Sequence, residues 1–329
     1  MRLKFFICFL FLLGCISSYS QDYEYKERKK KRMHYIPRYP IELGFHIGTS
    51  QFLGDLGGTE AIGQSFIIDT DLPSIRPAVG FFGRYNMGGH FSFRLEMSYL
   101  NLSGNDKFAG KGFSATTHSD KDGWFRFYRN LHFQTHVFEL TNSCQFIPYN
   151  FKLTGSRYTK TKQNTLSPYI VLGAGFLVFN PQAEYNGDWV DLRPLSTEGQ
   201  GLVEGRPTYS LVQFIIPVGF GVQWEHNHDW ILSLEINHRF TFTDYIDDVS
   251  TDYVAPAVFE KNFNAETAQL ATSLARRSVE HDPNNIYGYI TAPNAQRGDP
   301  KDNDAYYTIN IRLAFYLKKS RFLALVKDY

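Results

Sequence analysis

Four aspartates stand close together in this 329-residue chain, Asp244, Asp247, Asp248 and Asp252, within the stretch TDYIDDVSTDYV. Carboxylates at that density are the raw material of a Ca²⁺ loop, but the D-x-[DN]-x-[DN]-G order is missing. They are therefore weak metal candidates, expected instead to cap backbone amides and pair with loop arginines such as Arg193 or Arg206. Thr197-Glu198-Gly199-Gln200-Gly201 has the two glycines of a shaped turn with a polar tip. With no strand before it and no helix after it, it is not a phosphate cradle. His46, His136, His238 and Ser98 have the side chains of a base and a nucleophile. No motif links a serine to a histidine and an acid, so the expectation is no enzyme, no cofactor and no small-molecule substrate.

Two basic runs offer a different chemistry, that of docking. Lys26, Arg28, Lys29, Lys30, Lys31 and Arg32 crowd the segment 21–40, and Lys152, Arg157, Lys160 and Lys162 crowd the connection Pro148–Pro168. Such blocks are usually solvated. On one side of a membrane, however, they are candidates for binding anionic lipid or an acidic protein patch. The formal net charge of +1 gives no reason to expect nucleic acid.

The elements that must position these residues alternate with a period of two. In Trp230–Thr243, Trp230, Leu232, Leu234, Ile236, His238, Phe240 and Phe242 take one face, and Ser233, Glu235, Asn237, Arg239 and Thr241 the other. The pattern returns in Ile41–Phe52, Ala78–Tyr85, Phe91–Ser103, Val137–Ile147, Tyr169–Phe179, Phe214–Glu225 and Tyr306–Leu317. Each is near the ~9–11 tilted residues that cross a bilayer. One face carries Arg94, Glu96, Glu235, Arg239 and Arg312 and the other carries aromatics, which fits a polar lumen and a lipid-facing wall better than a soluble barrel. The expected fold is thus all-β: an eight-stranded antiparallel transmembrane β-barrel of the outer membrane, with long extracellular loops. Eight strands enclose a lumen that side chains fill. Glu42, Arg84 and Glu139 join the charges above as an interior mixed-charge network.

Val137 and Phe138 fall out of phase in strand four, so a bulge there, or a strand extending above the membrane, is expected. Gly173, Gly175, Gly219 and Gly221 lie on the inner face, leaving room for large side chains opposite. Short connections at 87–90 and 226–229 alternate with long ones, which predicts both termini in the periplasm. The loop insertion at 244–305 holds one expected short helix, Asn264–Ser278, with Asn264 as N-cap. Residues 1–20 form a secretory signal, with Arg2 and Lys4 ahead of an apolar Phe5–Leu13 and Ser18-Tyr19-Ser20 before Gln21. Leu12-Leu13-Gly14-Cys15 leaves open a lipobox reading. Residues 41–317 form the barrel and 318–329 a periplasmic tail.

Several stretches go beyond barrel physics: IELGFHIGTSQFLGDL at Ile41–Leu56, IRPAVGFFGRYN at Ile75–Asn86, Arg-Asn-Leu at Arg129, NPQAEYNGDWVDLRPLSTEGQG at Asn180–Gly201, and TDYIDDVSTDYV. In this order they resemble the PorG-like outer-membrane barrels of Bacteroidetes associated with the type IX secretion system. The resemblance implies an accessory barrel whose periplasmic side meets a PorK–PorN ring. The long insertion before the last strand departs from that pattern. A surface-binding barrel, a receptor or adhesin using long loops rich in Tyr185, Trp189, Tyr253 and Tyr287, is the alternative.

Overall fold

The computed structural model describes residues 40–56, 72–88, 90–108, 122–154, 164–227, 229–280, 282, 284 and 286–317. Eleven strands occur among them: β1 Ile41–Leu53, β2 Arg76–Gly88, β3 Phe91–Asn105, β4 His132–Phe146, β5 Phe151–Thr154, β6 Asn164–Val178, β7 Pro181–Tyr185, β8 Asp188–Asp191, β9 Val212–His226, β10 Trp230–Thr241 and β11 Ala305–Tyr316. Eight of these close the barrel in the order β6-β9-β10-β11-β1-β2-β3-β4, and β4 pairs back onto β6 from Phe138↔Val178 to Phe146↔Ile170. Every pairing is antiparallel, so the wall has no free edge, the condition for crossing lipid with strands. No helix among the described residues is long and apolar enough to cross a membrane.

Period two makes the two faces of the wall chemically opposite. Along β3, Phe91, Phe93, Leu95, Met97 and Tyr99 are exposed while Ser92, Arg94, Glu96 and Ser98 are buried. Phe81 and Met97 are 74% and 66% exposed, and similar apolar residues continue around all eight strands. A continuous apolar belt of this kind far exceeds what a water-facing surface carries, so the chain is a transmembrane β-barrel of the outer-membrane class. The belt on β3 runs from Phe91 to Tyr99, close to the ~9–11 residues needed to span. Beyond it, at the long-loop end, both faces of the strands are covered, as at Ser50, Gln51 and Phe52 of β1.

What covers them is a cap. Helix α1 (Asp122–Arg129) comes from the second long loop, and α2 (Pro256–Asn262) and α3 (Ala265–Ala275) from the fourth. The hairpin β7–β8, Leu192 and Leu195 pack with Phe259, Ala268, Ala271 and Leu274 as a small apolar core. Beneath it a larger core of Phe52, Leu100, Leu102, Phe133, Val137, Leu177 and Phe179 plugs the barrel mouth.

Several expectations are corrected here. There is no bulge at Val137-Phe138: β4 pairs with β3 in unbroken register from Asn105↔His132 to Phe91↔Phe146. The second alternative, a strand that runs on past the membrane, is the one found: β4 extends beyond the belt and turns Phe133 and Val137 inward onto the apolar plug. The last long loop holds two α-helices rather than one, and α1 in the second loop is a third. α3 begins at the Asn264 N-cap, whose side chain accepts from the Thr267 amide at 2.8 Å, but it ends at Ala275.

Candidate functional site

The barrel interior is a stack of matched charges. At the turn end, Arg84 donates to Glu42 at 2.7 Å and to Gln145 and Gln223, each at 2.9 Å. At mid-barrel, Arg94 grips Glu235 through both terminal nitrogens at 2.7 and 3.0 Å, and Arg312 grips Glu96 at 2.6 and 3.0 Å. The two pairs are cross-linked, with Arg312 2.9 Å from Glu235 and Arg94 3.0 Å from Glu96. Tyr169 adds a hydroxyl to Glu235 at 3.0 Å, and the Phe82 ring lies 5.3 Å from the Arg312 guanidinium. Nearer the plug, Arg239 faces Glu139 at 3.3 Å and Tyr306 donates to the same carboxylate. The inner-wall glycines make this density possible: a side chain on Gly221 would strike Tyr169, and one on Gly44 would strike Phe82. Two cations against two anions, each bonded twice or more, is how buried charge is tolerated. This arrangement occupies the lumen.

His46 and Ser98, which the sequence leaves unlinked, do meet inside. His46 Nε2 lies 3.1 Å from Ser98 Oγ and 3.2 Å from Glu96 Oε1, while Nδ1 has no partner. A hydrolytic triad needs the acid on one ring nitrogen and the nucleophile on the other. Here both sit on Nε2, the acid belongs to Arg312, and the group is sealed within the wall, so the arrangement is structural. His136 is outside on the belt, bonded to Tyr99 at 2.7 Å. His238 occupies the lipid-facing phase but is buried against Phe240, with ring centroids 4.4 Å apart.

At the long-loop end the acidic residues interlock with the glycine turn. Thr197–Gln200 is buried rather than an exposed polar tip and only Gly201 reaches the surface, with Gly199 and Gly201 at φ +76° and +75°. Glu198 accepts from the amides of Ser250 and Thr251 at 2.9 and 3.0 Å and from Arg297 at 3.0 Å. Asp248 accepts from Thr197 and from Tyr209 at 2.7 Å; burial pushes its carboxyl up to about 6, against the pull of Arg297. The arginine partners differ in part from expectation: Arg206 does face Asp252, at 3.9 Å, but Asp248 is met by Arg297 at 4.0 Å, and Arg193 donates to the Tyr209 carbonyl. Arg129, at the end of α1, ties three loops together: it bonds Asp106 at 2.7 and 2.8 Å and the carbonyls of Asp55 and Arg297 at 2.7 and 2.5 Å.

Asp244 and Asp247 join a cluster that the sequence scatters. Asp247 accepts from the Leu56 and Val249 amides at 3.2 and 3.0 Å, Asp304 from the Ile246 amide at 2.7 Å, and Asp55 from the Asp299 amide at 2.8 Å. Burial raises the carboxyls of Asp55, Asp244, Asp247 and Asp304, Asp244 to about 8; other carboxylates of the group raise Asp244, Asp247 and Asp304 further, whereas Arg129 and Arg126 hold Asp55 back. Oδ1 of Asp304 has no hydrogen-bond partner, while the Ser250 side chain approaches Asp244 and offsets part of its rise. No three His, Cys, Asp or Glu side chains among the described residues are placed to hold a metal ion. Beside the cluster opens a cleft of about 450 Å³, lined by Asp55, Arg126, Arg129, Arg297 and Asp299 with the exposed rings of Phe125 and Tyr289.

The basic docking candidates Lys26, Arg28, Lys29, Lys30, Lys31, Arg32, Arg157, Lys160 and Lys162 lie outside the described residues, as do the signal segment and the tail 318–329. Lys152 falls in β5, which pairs with the start of β6 at the turn end.

The chain belongs to the family described as "Domain of unknown function (DUF6089)", whose family model matches residues 38–260. That span covers seven of the eight barrel strands and stops before α3 and the closing strand β11. Comparison with curated proteins finds no match. Among solved structures the chain is similar to Ail, the attachment invasion locus protein of Yersinia pestis. In complex with the heparin analogue sucrose octasulfate, Ail matches at 8% identity and TM-score 0.30, over 84% of this chain and 99% of that one. Without it, the match is 9% and 0.29, over 84% and 98%. A likeness of this degree carries no argument about this chain.

Proposed function

We propose that this is a non-enzymatic outer-membrane barrel that works by docking at its ends, as an accessory or anchor of the type IX protein secretion machinery. The observation that carries the first half is the filled lumen: Arg94, Arg312, Glu96 and Glu235 occupy mid-barrel with their charges spent on one another. A wall closed around such a core offers no conduction path and no substrate access, so interaction is left to the two ends. The secretion role rests on the resemblance to PorG-like barrels, and two of the segments that carry it, 180–201 and 243–254, pack on each other through Glu198 and Asp248. In this reading the tight turns are periplasmic. Lys26–Arg32 and Lys152–Lys162 then meet an acidic surface of ring proteins of PorK–PorN type.

Affinity purification from solubilised outer membrane tests it. Ring components are expected to co-purify at low ionic strength and to be lost when both basic segments are neutralised, because exposed charge contacts are screened by salt. A complex without secretion components, together with unchanged cargo secretion in a deletion strain, would end this reading. Single cysteines in a Cys144→Ser background test sidedness: the exposed Asn186 and Asn284 are the long-loop sites for an impermeant reagent, Thr197 and Asp247 being buried, and Gly88, Lys160 and Asn227 are the turn sites. Labelling of Gly88 on intact cells without labelling of Asn186 would invert the topology. The cleft beside Phe125 and Tyr289 favours a second reading, a surface-binding barrel.

A further inference from the structure

The acidic cluster at the barrel mouth has no counterpart in the matched interior. Its four carboxyls come from chain segments that meet only there: Asp55 follows β1, Asp244 and Asp247 open the fourth long loop, and Asp304 closes it ahead of β11. Each of three does a structural job, accepting a backbone amide that joins one segment to another: Leu56 to Asp247, Ile246 to Asp304, and Asp299 to Asp55. Gly54 is needed at this point, because a side chain there would strike the unpartnered Oδ1 of Asp304.

The charged groups facing the cluster do not cancel it. From the first loop comes Asp55 itself; from the third, Glu198; from the fourth, Asp299. The facing cations are Arg126 and Arg129 of α1, and Arg129 is already bonded twice to Asp106. Arg297 is spent on Glu198 and Asp248. Three buried carboxylates with the half-buried Asp55 at their edge, faced by no cation beyond Arg126 and the already bonded Arg129, cannot all stay ionised side by side. A metal ion would solve this, but no three of the acids converge on one point. Protons solve it without convergence, and Asp55 lines the cleft through which they exchange with water.

We propose that the carboxyls of Asp55, Asp244, Asp247 and Asp304 form a proton-held latch, which keeps the first and fourth long loops closed over the barrel mouth and lets them part when the protons leave. The groups whose ionisation burial opposes bind protons more tightly closed than open. The closed form therefore loses stability as pH rises from the carboxyls' ordinary range up to their folded-state range, above which the loss is complete. A loop that opens at the mouth changes what the long-loop face presents to any partner, whichever docking role the barrel plays.

Amide hydrogen exchange on the full chain in detergent micelles, corrected for the intrinsic pH dependence of exchange, reads the latch directly. The amides of Leu56, Ile246 and Val249 are the reporters and those of β9 the internal standard. In the wild type the reporters are expected to lose about tenfold or more of their protection between about pH 6 and about pH 9, because one unit of linked pKa shift is a tenfold change in equilibrium. Asp244→Asn, which carries no charge at either pH, is expected to retain protection at the higher pH. Asp302→Asn, an exposed acid on the same loop, is expected to follow the wild type. Wild-type protection that stays constant across the range would overturn the proposal, and this reading does not depend on any variant folding. It would also fall if calcium ion restored protection at high pH and a chelator removed it at low pH, since the cluster would then be a metal site.

Discussion

Two charge clusters, one sealed inside the wall and one buried except for Asp55 at its edge, are neutralised in opposite ways. At mid-barrel, Arg94 and Arg312 stand against Glu96 and Glu235, all 2% exposed or less. At the mouth, Asp55, Asp244, Asp247 and Asp304 stand largely against one another. The first cluster is rigid because each charge is bonded from two sides within strands that cannot separate without breaking the wall. The second joins loops, and its stability depends on a species, the proton, whose supply the solvent controls. Placement explains the division: lipid surrounds the interior pairs, so their counter-charges must be built in, whereas the mouth borders a cleft open to water.

The comparison breaks most sharply where a built-in counter-charge is removed. Arg312→Met leaves Glu96 and Glu235 sharing Arg94, and is expected to cost about 3–5 kcal/mol, the range for stripping one partner from a buried ion pair. Urea unfolding followed by heat-modifiable gel migration measures it. Next in size, Leu234→Arg or Ile311→Arg puts a charge on the lipid face and is expected to cost about 2–4 kcal/mol and block membrane assembly. Glu235→Gln, one residue away but facing the lumen, leaves Arg94 and Arg312 sharing Glu96 and so loses stability on the scale of Arg312→Met, yet is expected still to insert. Normal insertion of the lipid-face arginines with failure of Glu235→Gln would reverse inside and outside.

The mouth responds with the other sign. Asp244 has its carboxyl raised to about 8 in the folded chain against an ordinary value near 3.8. Below about pH 4 both states hold the proton and the group costs nothing; through about pH 4–8 the folded state progressively loses by it, and above that range the cost is complete. Asp244→Asn is therefore expected to leave stability unchanged near pH 4 and to raise it by about 1–3 kcal/mol near pH 9, on the scale of relieving one unsatisfied buried group. Chemical unfolding at the two pH values is the measurement, and a variant less stable than wild type at the higher pH would contradict it. The smallest effect belongs to Asp252→Asn: its pair with Arg206 is 3.9 Å apart and partly exposed on both sides, and the bonds from Arg206 to the Glu198 and Asp252 carbonyls remain. Such pairs contribute about 0–1 kcal/mol, so its unfolding midpoint is expected to lie close to wild type.

The sequence by itself determined the wall. Alternation is local, so Phe91–Tyr99 reveals its two faces without reference to any other strand, and the interior charges from Glu42 to Arg312 are legible from phase alone. The helix at Asn264 is legible for the same reason, since cap and formers are neighbours along the chain. Tertiary structure alone decided which charges are partners. Arg94 and Glu235 lie 141 positions apart and Leu56 and Asp247 lie 191 apart, and nothing in either local pattern encodes the meeting. The aspartates of TDYIDDVS drew notice as a group, yet the structure divides them, sending Asp248 to Thr197, Tyr209 and Arg297, and Asp244 and Asp247 to Asp55 and Asp304. Periodicity fixes the direction in which a side chain points; what waits for it there depends on closure of the barrel and on how the long loops fold back over its mouth.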